Sequence, residues 1–294
     1  MFESFERERV ETPGAEIELV HGGDGPPVLL LHGNPQTHAM WHLVAPILAE
    51  DFTVVAADLR GYGDSSKPFG DEDHSTYSKR AMAGDQAAVM ESLGFDSFAV
   101  IGHDRGARVG HRMALDYPER VTKLAVLDIV PTSHVFRTVG KDLATAYYHW
   151  FFYIQPYDLP ETLIGAEPSY YLRKKLGGWG TSLDTFAPEA LAEYERCFDA
   201  ATIHASCEDY RASASIDLVH DEADLDEGRK VLCPLLALWG GQGVMERIYD
   251  VEAVWREYAN DVRGKPIDAG HFLAEERPAE TTQELTTFLQ EQSI

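Results

Sequence analysis

Residues 98–110, FAVIGHDRGARVG, pass from an apolar, β-branched run straight into a helical pattern, with no spacer between them. Gly102 and Gly106 bracket Asp104 at two residues on either side. That is the spacing of a nucleophile elbow, where a strand turns sharply into a helix and presents its middle residue at the tip. Serine usually occupies the tip; here it is an aspartate, followed at once by Arg105 and three residues later by Arg108.

The same strand-then-helix rhythm runs along most of the chain. Apolar runs bounded by turn residues recur as PPVLLLHG (26–33), FTVVAADLRG (52–61), SFAVIGH (97–103), VTKLAVLDIV (121–130), VLCPLLALWG (231–240) and DVRGKPIDAGHF (261–272). Helical stretches at 76–93, 104–117, 246–259 and 276–291 lie between them. This alternation predicts an α/β fold, a mostly parallel twisted sheet covered by helices on both faces. The N-terminal ERERVETPGAEIELVHGG reads as one or two antiparallel strands in front of it. Between about residues 134 and 215 the rhythm stops, and aromatics such as YYHWFFYIQPY (147–157) dominate several short helical patterns. The expected organisation is a core domain of 1–133 and 216–294 with a helical lid, 134–215, inserted over the carboxyl ends of the strands. A lid this aromatic would roof a site and exclude water.

Three further motifs fall at strand ends. His32-Gly33-Asn34-Pro35 follows the first buried strand, where backbone N–H groups near Asn34 and Arg105 can form an oxyanion hole. Asp128 closes LAVLD, and His271 stands in Gly270-His271-Phe272 after the last strand. The acid that partners the histidine has two possible strand ends. The later one reads Trp239-Gly240-Gly241-Gln242-Gly243-Val244-Met245, with no carboxylate before Glu246, which leaves Asp128.

Taken together, HGNPQTHAMW, DLRGYGDSSKP, GHDRGAR, LAVLDIVPT, HWFFYIQP, DYRAS and AGHFLAEE resemble the α/β-hydrolases over essentially the whole chain, and within them the haloacetate dehalogenases, particularly the fluoroacetate dehalogenases. GHDRGAR and the His149-Trp150 pair narrow the choice. The resemblance implies hydrolytic dehalogenation, with Asp104 attacking carbon, His271 activating water and Asp128 orienting His271. An ionised carboxylate needs no base to become a nucleophile for an alkyl carbon. Arg105 and Arg108, three apart on one helix face, would bind the substrate carboxylate. His149, Trp150 and Tyr210 would donate hydrogen bonds to the departing halide, and Trp179 would line the pocket or anchor the lid. Asn34 departs from the aromatic residue common after His-Gly in the family, which bears on pocket shape and halide preference. The alternative is an epoxide hydrolase with the same Asp-His-Asp machinery; Arg105 and His149 speak against it. A homodimer is implied by the resemblance alone.

The remaining residues carry weaker readings. A formal charge of −24 disfavours nucleic acid and repels anions at long range, so a small anionic haloacid needs local cations. The acidity itself reads as a solubilising surface. Cys197, Cys207 and Cys233 are odd in number, without metal-site spacing, and read as small core hydrophobes. His103 is expected to pack under the elbow, and Asp58 and Asp64 to brace a loop. No motif for a metal or organic cofactor is present. With no apolar leader and no run long enough to span a membrane, a cytoplasmic protein is expected.

Overall fold

The computed structural model describes residues 1–291. Its strands are β1 (Glu6–Glu11), β2 (Glu16–Gly22), β3 (Pro27–Leu31), β4 (Thr53–Ala57), β5 (Phe98–His103), β6 (Val121–Leu127), β7 (Leu235–Gly240) and β8 (Val262–Ile267). They form an eight-stranded sheet in the order β1-β2-β4-β3-β5-β6-β7-β8. From β4 to β8 every pairing is parallel, whereas β2 runs antiparallel to both of its neighbours.

Burial explains the strand compositions. β5 is buried at every position, as a central parallel strand covered on both faces must be, and hence reads as a continuous apolar run. At the sheet's edge, β8 carries Arg263, Lys265 and Pro266 and is largely exposed, which discourages pairing with another chain. Helices α1 (Lys79–Ser92) and α2 (Arg105–Asp116) precede and follow β5. In place of a single helix over 246–259 the chain forms two, Val244–Ile248 and Val251–Tyr258. Extended Tyr249 separates them, and the Asp250 side chain caps the second by accepting from the Ala253 N–H. The expected 276–291 helix forms as Pro278–Gln290, preceded by a separate short turn at Leu273–Glu276, and it opens on Pro278, whose missing N–H suits a first turn.

Strand register gathers the loops that carry the chemistry. Leu31 pairs with Gly102, His103 with Leu127, Leu127 with Leu238, and Gly240 with Ile267. The chain therefore leaves β3, β5, β6, β7 and β8 at one edge of the sheet, and His32, Asp104, Asp128, Gly241 and His271 all fall beyond it. Between β6 and β7 the chain is helical. It includes α3 (Tyr148–Tyr153), α4 (Pro168–Leu176), α5 (Pro188–Cys197), α6 (Ala200–Ser213) and α7 (Ile216–Asp226). A further helix, Thr132–Thr138, starts two residues before the expected lid boundary. Among the described residues no helix is long and apolar enough to cross a membrane.

Candidate active site

The turn after β5 is as tight as its glycines require. Asp104 adopts φ 46°, ψ −111°, a strained backbone for a residue with a side chain. Gly106 sits so close to the end of β3 that a Cβ there would lie 2.4 Å from the Leu31 carbonyl oxygen and 2.5 Å from that of His32. A Cβ on Gly102 would lie 2.5 Å from the Ala107 backbone. Asp104 is thereby lifted to the head of α2, and its Oδ1 accepts the Asn34 N–H at 3.0 Å. Burial alone would raise the Asp104 pKa, but His271, Arg105 and Arg108 outweigh burial and hold it below the ordinary value. The carboxylate is ionised.

His271 reaches the same place from the far end of the chain. Its Nδ1 is 2.5 Å from Asp128 Oδ2, and Asp128 Oδ1 accepts the Gly240 N–H at 2.9 Å. The end of β7, the other strand end that could have carried the acid, thus supplies a backbone donor that fixes Asp128, while Glu246 accepts a hydrogen bond from Trp239 Nε1. Burial would lower the His271 pKa, yet the hydrogen bond and charge of Asp128 and the charge of Asp104 leave it raised. His103 packs beneath: its Nε2 meets the His271 carbonyl at 2.9 Å, and burial pushes its pKa down to about 3, so it is neutral.

Both arginines are buried beside Asp104, at 0% and 3% exposure, so neither is a surface group. Arg105 is already held: Nε donates to Asp209 Oδ2 at 2.9 Å and Nη2 to Asp209 Oδ1 at 2.6 Å. Nη2 also donates to the Asp209 carbonyl and to Ser213 Oγ. Lys79 Nζ and Tyr62 Oη donate to the same carboxylate. The fork expected to grip a ligand carboxylate is therefore filled by Asp209, and Arg105 has only Nη1 without a partner among the described residues. Arg108 Nη1 donates to the Val130 carbonyl and Thr132 Oγ1, and its Nε is left without a partner. Arg108 Nη2 makes no hydrogen bond among the described residues either, so Arg108 can offer an anion its Nε–Nη2 edge as a two-pronged grip, and Arg105 adds Nη1.

Aromatic side chains close over these groups. The Tyr210 ring lies 4.1 Å from the Arg105 guanidinium carbon and the Trp150 ring 4.6 Å from that of Arg108, within cation–π range. His149 is 5.5 Å from Tyr210 between ring centroids, and burial lowers its pKa well below the ordinary value, so it is neutral. His149 Nδ1 and Trp150 Nε1 are buried with no hydrogen-bond partner among the described residues. Trp179, at φ 54°, does two things at once: Nε1 donates to the Ala146 carbonyl, and the ring lies 5.1 Å from His271 and 5.1 Å from His149. The Asn34 side chain points away from a halide role, its Nδ2 donating to Ser206 Oγ at 3.1 Å. Asp58 accepts from the His38 backbone, the His38 ring and the Asp64 N–H, and Asp64 pairs with Arg196.

Two residues at the site escape sequence reasoning. Asp209 sits immediately before Tyr210, but nothing in DYRAS reveals that it locks an arginine 104 positions earlier. Lys175 on α4 is 3% exposed, its amine lies 5.0 Å from the Trp179 ring and 6.0 Å from that of Tyr210, and burial pushes its pKa down to about 7. A signal did exist: in PSYYLRKKL, Lys175 shares a helical stripe with buried Leu172 and Leu176.

Residues 26–278 match the α/β hydrolase fold family. The chain is 49% identical to a fluoroacetate dehalogenase from Burkholderia sp, over 98% of this chain and 95% of that protein. It is 34% identical to a soluble epoxide hydrolase from Corynebacterium sp. (strain C12), over 90% of each. Among solved structures, a proposed alpha/beta hydrolase from Nostoc sp PCC 7120 superposes with a TM-score of 0.97 at 59% identity, covering 99% of this chain and 100% of that one. This chain belongs to the α/β-hydrolase family, within its fluoroacetate dehalogenase group.

Proposed function

We propose that the protein hydrolyses haloacetates to glycolate and halide, with Asp104 as nucleophile, His271 as general base and the β6–β7 helices as a cap over the substrate. The observation that carries the reading is an ionised carboxylate at the elbow with two buried guanidinium groups beside it, Arg108 keeping its Nε–Nη2 edge and Arg105 its Nη1 without a partner. A neutral epoxide offers one uncharged oxygen and leaves the buried positive charge unanswered; a haloacetate carboxylate neutralises it. The similarity to a fluoroacetate dehalogenase over almost the full chain supports the same conclusion.

In the first step an Asp104 oxygen attacks the substrate's α-carbon, and the carbon–halogen bond breaks with its electron pair leaving on the halide. The product is an ester of Asp104. Esterification also removes the negative charge that helps keep the His271 pKa raised. His271, oriented through Nδ1 by Asp128, acts as the base and takes a proton from water as the oxygen attacks the ester carbonyl of Asp104. The Asn34 N–H, already 3.0 Å from Asp104 Oδ1, is placed to stabilise the resulting oxyanion. Collapse frees glycolate and restores the carboxylate.

A single turnover of chloroacetate in heavy-oxygen water tests the scheme. Label should enter Asp104, with glycolate unlabelled; label appearing first in glycolate refutes it. Assays with fluoroacetate, chloroacetate, 2-chloropropionate and styrene oxide separate the neighbouring chemistry, since diol without halide release would identify an epoxide hydrolase.

A further inference from the structure

The proposed reaction leaves the buried amine of Lys175 without a task. Its neighbour Lys174 is an ordinary surface lysine lying over Tyr170, whereas Lys175 turns inward from the same helix. Lys175 Nζ sits 5.1 Å from the Tyr153 ring, 5.0 Å from Trp179 and 6.0 Å from Tyr210, with no hydrogen-bond partner among the described residues. Cation–π attraction alone leaves its N–H groups unsatisfied, a cost that selects for an acceptor in the space they face. The surrounding rings belong to the same cluster, with Trp179 and Tyr210 each packing on His149.

Charge balance says what that acceptor is. Arg105 and Lys79 are closed by Asp209, with Asp217 a further 3.4 Å from Lys79, and His271 is engaged by Asp128. Arg108 donates to neutral oxygens and stays uncompensated. A haloacetate brings one negative charge to join that of Asp104. Displacement then moves the Asp104 charge onto the halide, so the ester complex holds two separate anions, the carboxylate and the halide. Arg108 answers the first. Lys175 is the cation left for the second, and it already senses the Asp104 charge, which opposes the lowering of its pKa by burial.

We propose that the Lys175 ammonium donates a hydrogen bond to the departing halide, beside His149, Trp150 and Tyr210, and that this contact matters most for fluoride. The inference rests on the dehalogenase reading. Fluoride is the smallest and most strongly hydrogen-bonded halide, so a charge-assisted donor favours it over bromide.

The test is Lys175→Met in the full chain, with fluoroacetate, chloroacetate and bromoacetate as substrates and with chloride binding followed by tryptophan fluorescence in the absence of substrate. Loss of one donor to a developing anion costs about 10²-fold in kcat, so fluoroacetate turnover should fall by about that factor and bromoacetate turnover by less than about fivefold. Chloride should bind about tenfold more weakly. Equal loss on all three haloacetates with unchanged chloride binding marks a structural role and overturns the inference, as does an unchanged enzyme. If the parent protein releases no halide from any haloacetate, the dehalogenase reading itself falls and takes the inference with it. Should K175M not accumulate as folded protein, K175L, which likewise has no donor, carries the same measurements.

Discussion

Replacing Asp209 with asparagine keeps the shape of the side chain and removes its charge. In the protein that carboxylate accepts from Arg105 Nε and Nη2, from Lys79 and from Tyr62, all in a buried setting. Arg105 would lose its carboxylate and keep only neutral oxygens, while Lys79 would keep Asp217 at 3.4 Å as its remaining carboxylate. Breaking a buried ion pair by removing one partner costs about 3–5 kcal/mol, because the other charge stays desolvated. At about 2–4 °C of melting temperature per kcal/mol for a large domain, D209N should melt about 6–20 °C below the parent. The pH dependence has a definite sign. The two cations outweigh the burial penalty and hold the Asp209 pKa far below the usual carboxylate range, so its stabilisation is fully present above the unfolded value of about 3.9. It is lost only as pH falls through the folded value, so the deficit of D209N is complete at neutral pH and narrows only in acid. Activity should follow, because Arg105 loses the fork that aims its Nη1; the chloroacetate KM should rise about tenfold. Calorimetry and steady-state halide release measure both. A melting point within about 2 °C of the parent together with an unchanged KM would show that Asp209 does not hold Arg105 in place.

Glu275 gives a prediction of opposite sign. Burial raises its pKa to about 8 despite hydrogen bonds from Tyr194 and Gln36, so the folded protein keeps a proton that the unfolded chain releases above about pH 4.3. Stability on this account falls as pH rises from about 4.3 to 8, and E275Q, which cannot ionise, should gain relative to the parent between pH 5 and pH 8 in urea midpoints. A difference independent of pH refutes it. At the elbow, G106A drives a methyl group against the Leu31 and His32 carbonyl oxygens at 2.4 Å and 2.5 Å and should cost about 1–3 kcal/mol with loss of halide release. G140A, with no heavy atom within 4 Å of its new methyl group, should stay within about 0.5 kcal/mol in the same chemical denaturation.

Local chemistry made much of this protein legible in its sequence. The sheet could be read because parallel strands buried on both faces must be apolar throughout, and the elbow because no residue but glycine fits at 102 and 106. Strand ends then placed Asp104, Asp128 and His271 at one edge, since register in a parallel sheet brings successive carboxyl ends together. Helix boundaries were less visible: Tyr249 breaks one expected helix where periodicity continues, because the Asp250 cap restarts it a turn later.

What only the tertiary structure decided is the electrostatic state of the site. The sequence by itself determined that two arginines stand beside a carboxylate; it held no sign that Asp209 occupies the fork of Arg105, and its one hint that Lys175 rather than Lys174 turns inward is the helical stripe shared with Leu172 and Leu176. Periodicity places a side chain on a helix face, but the charge it meets there depends on which distant helix packs across from it. Burial then multiplies the consequence, since desolvation sets the pKa of Lys175, and the charges of Arg105, Arg108 and His271 determine that Asp104 waits as an anion.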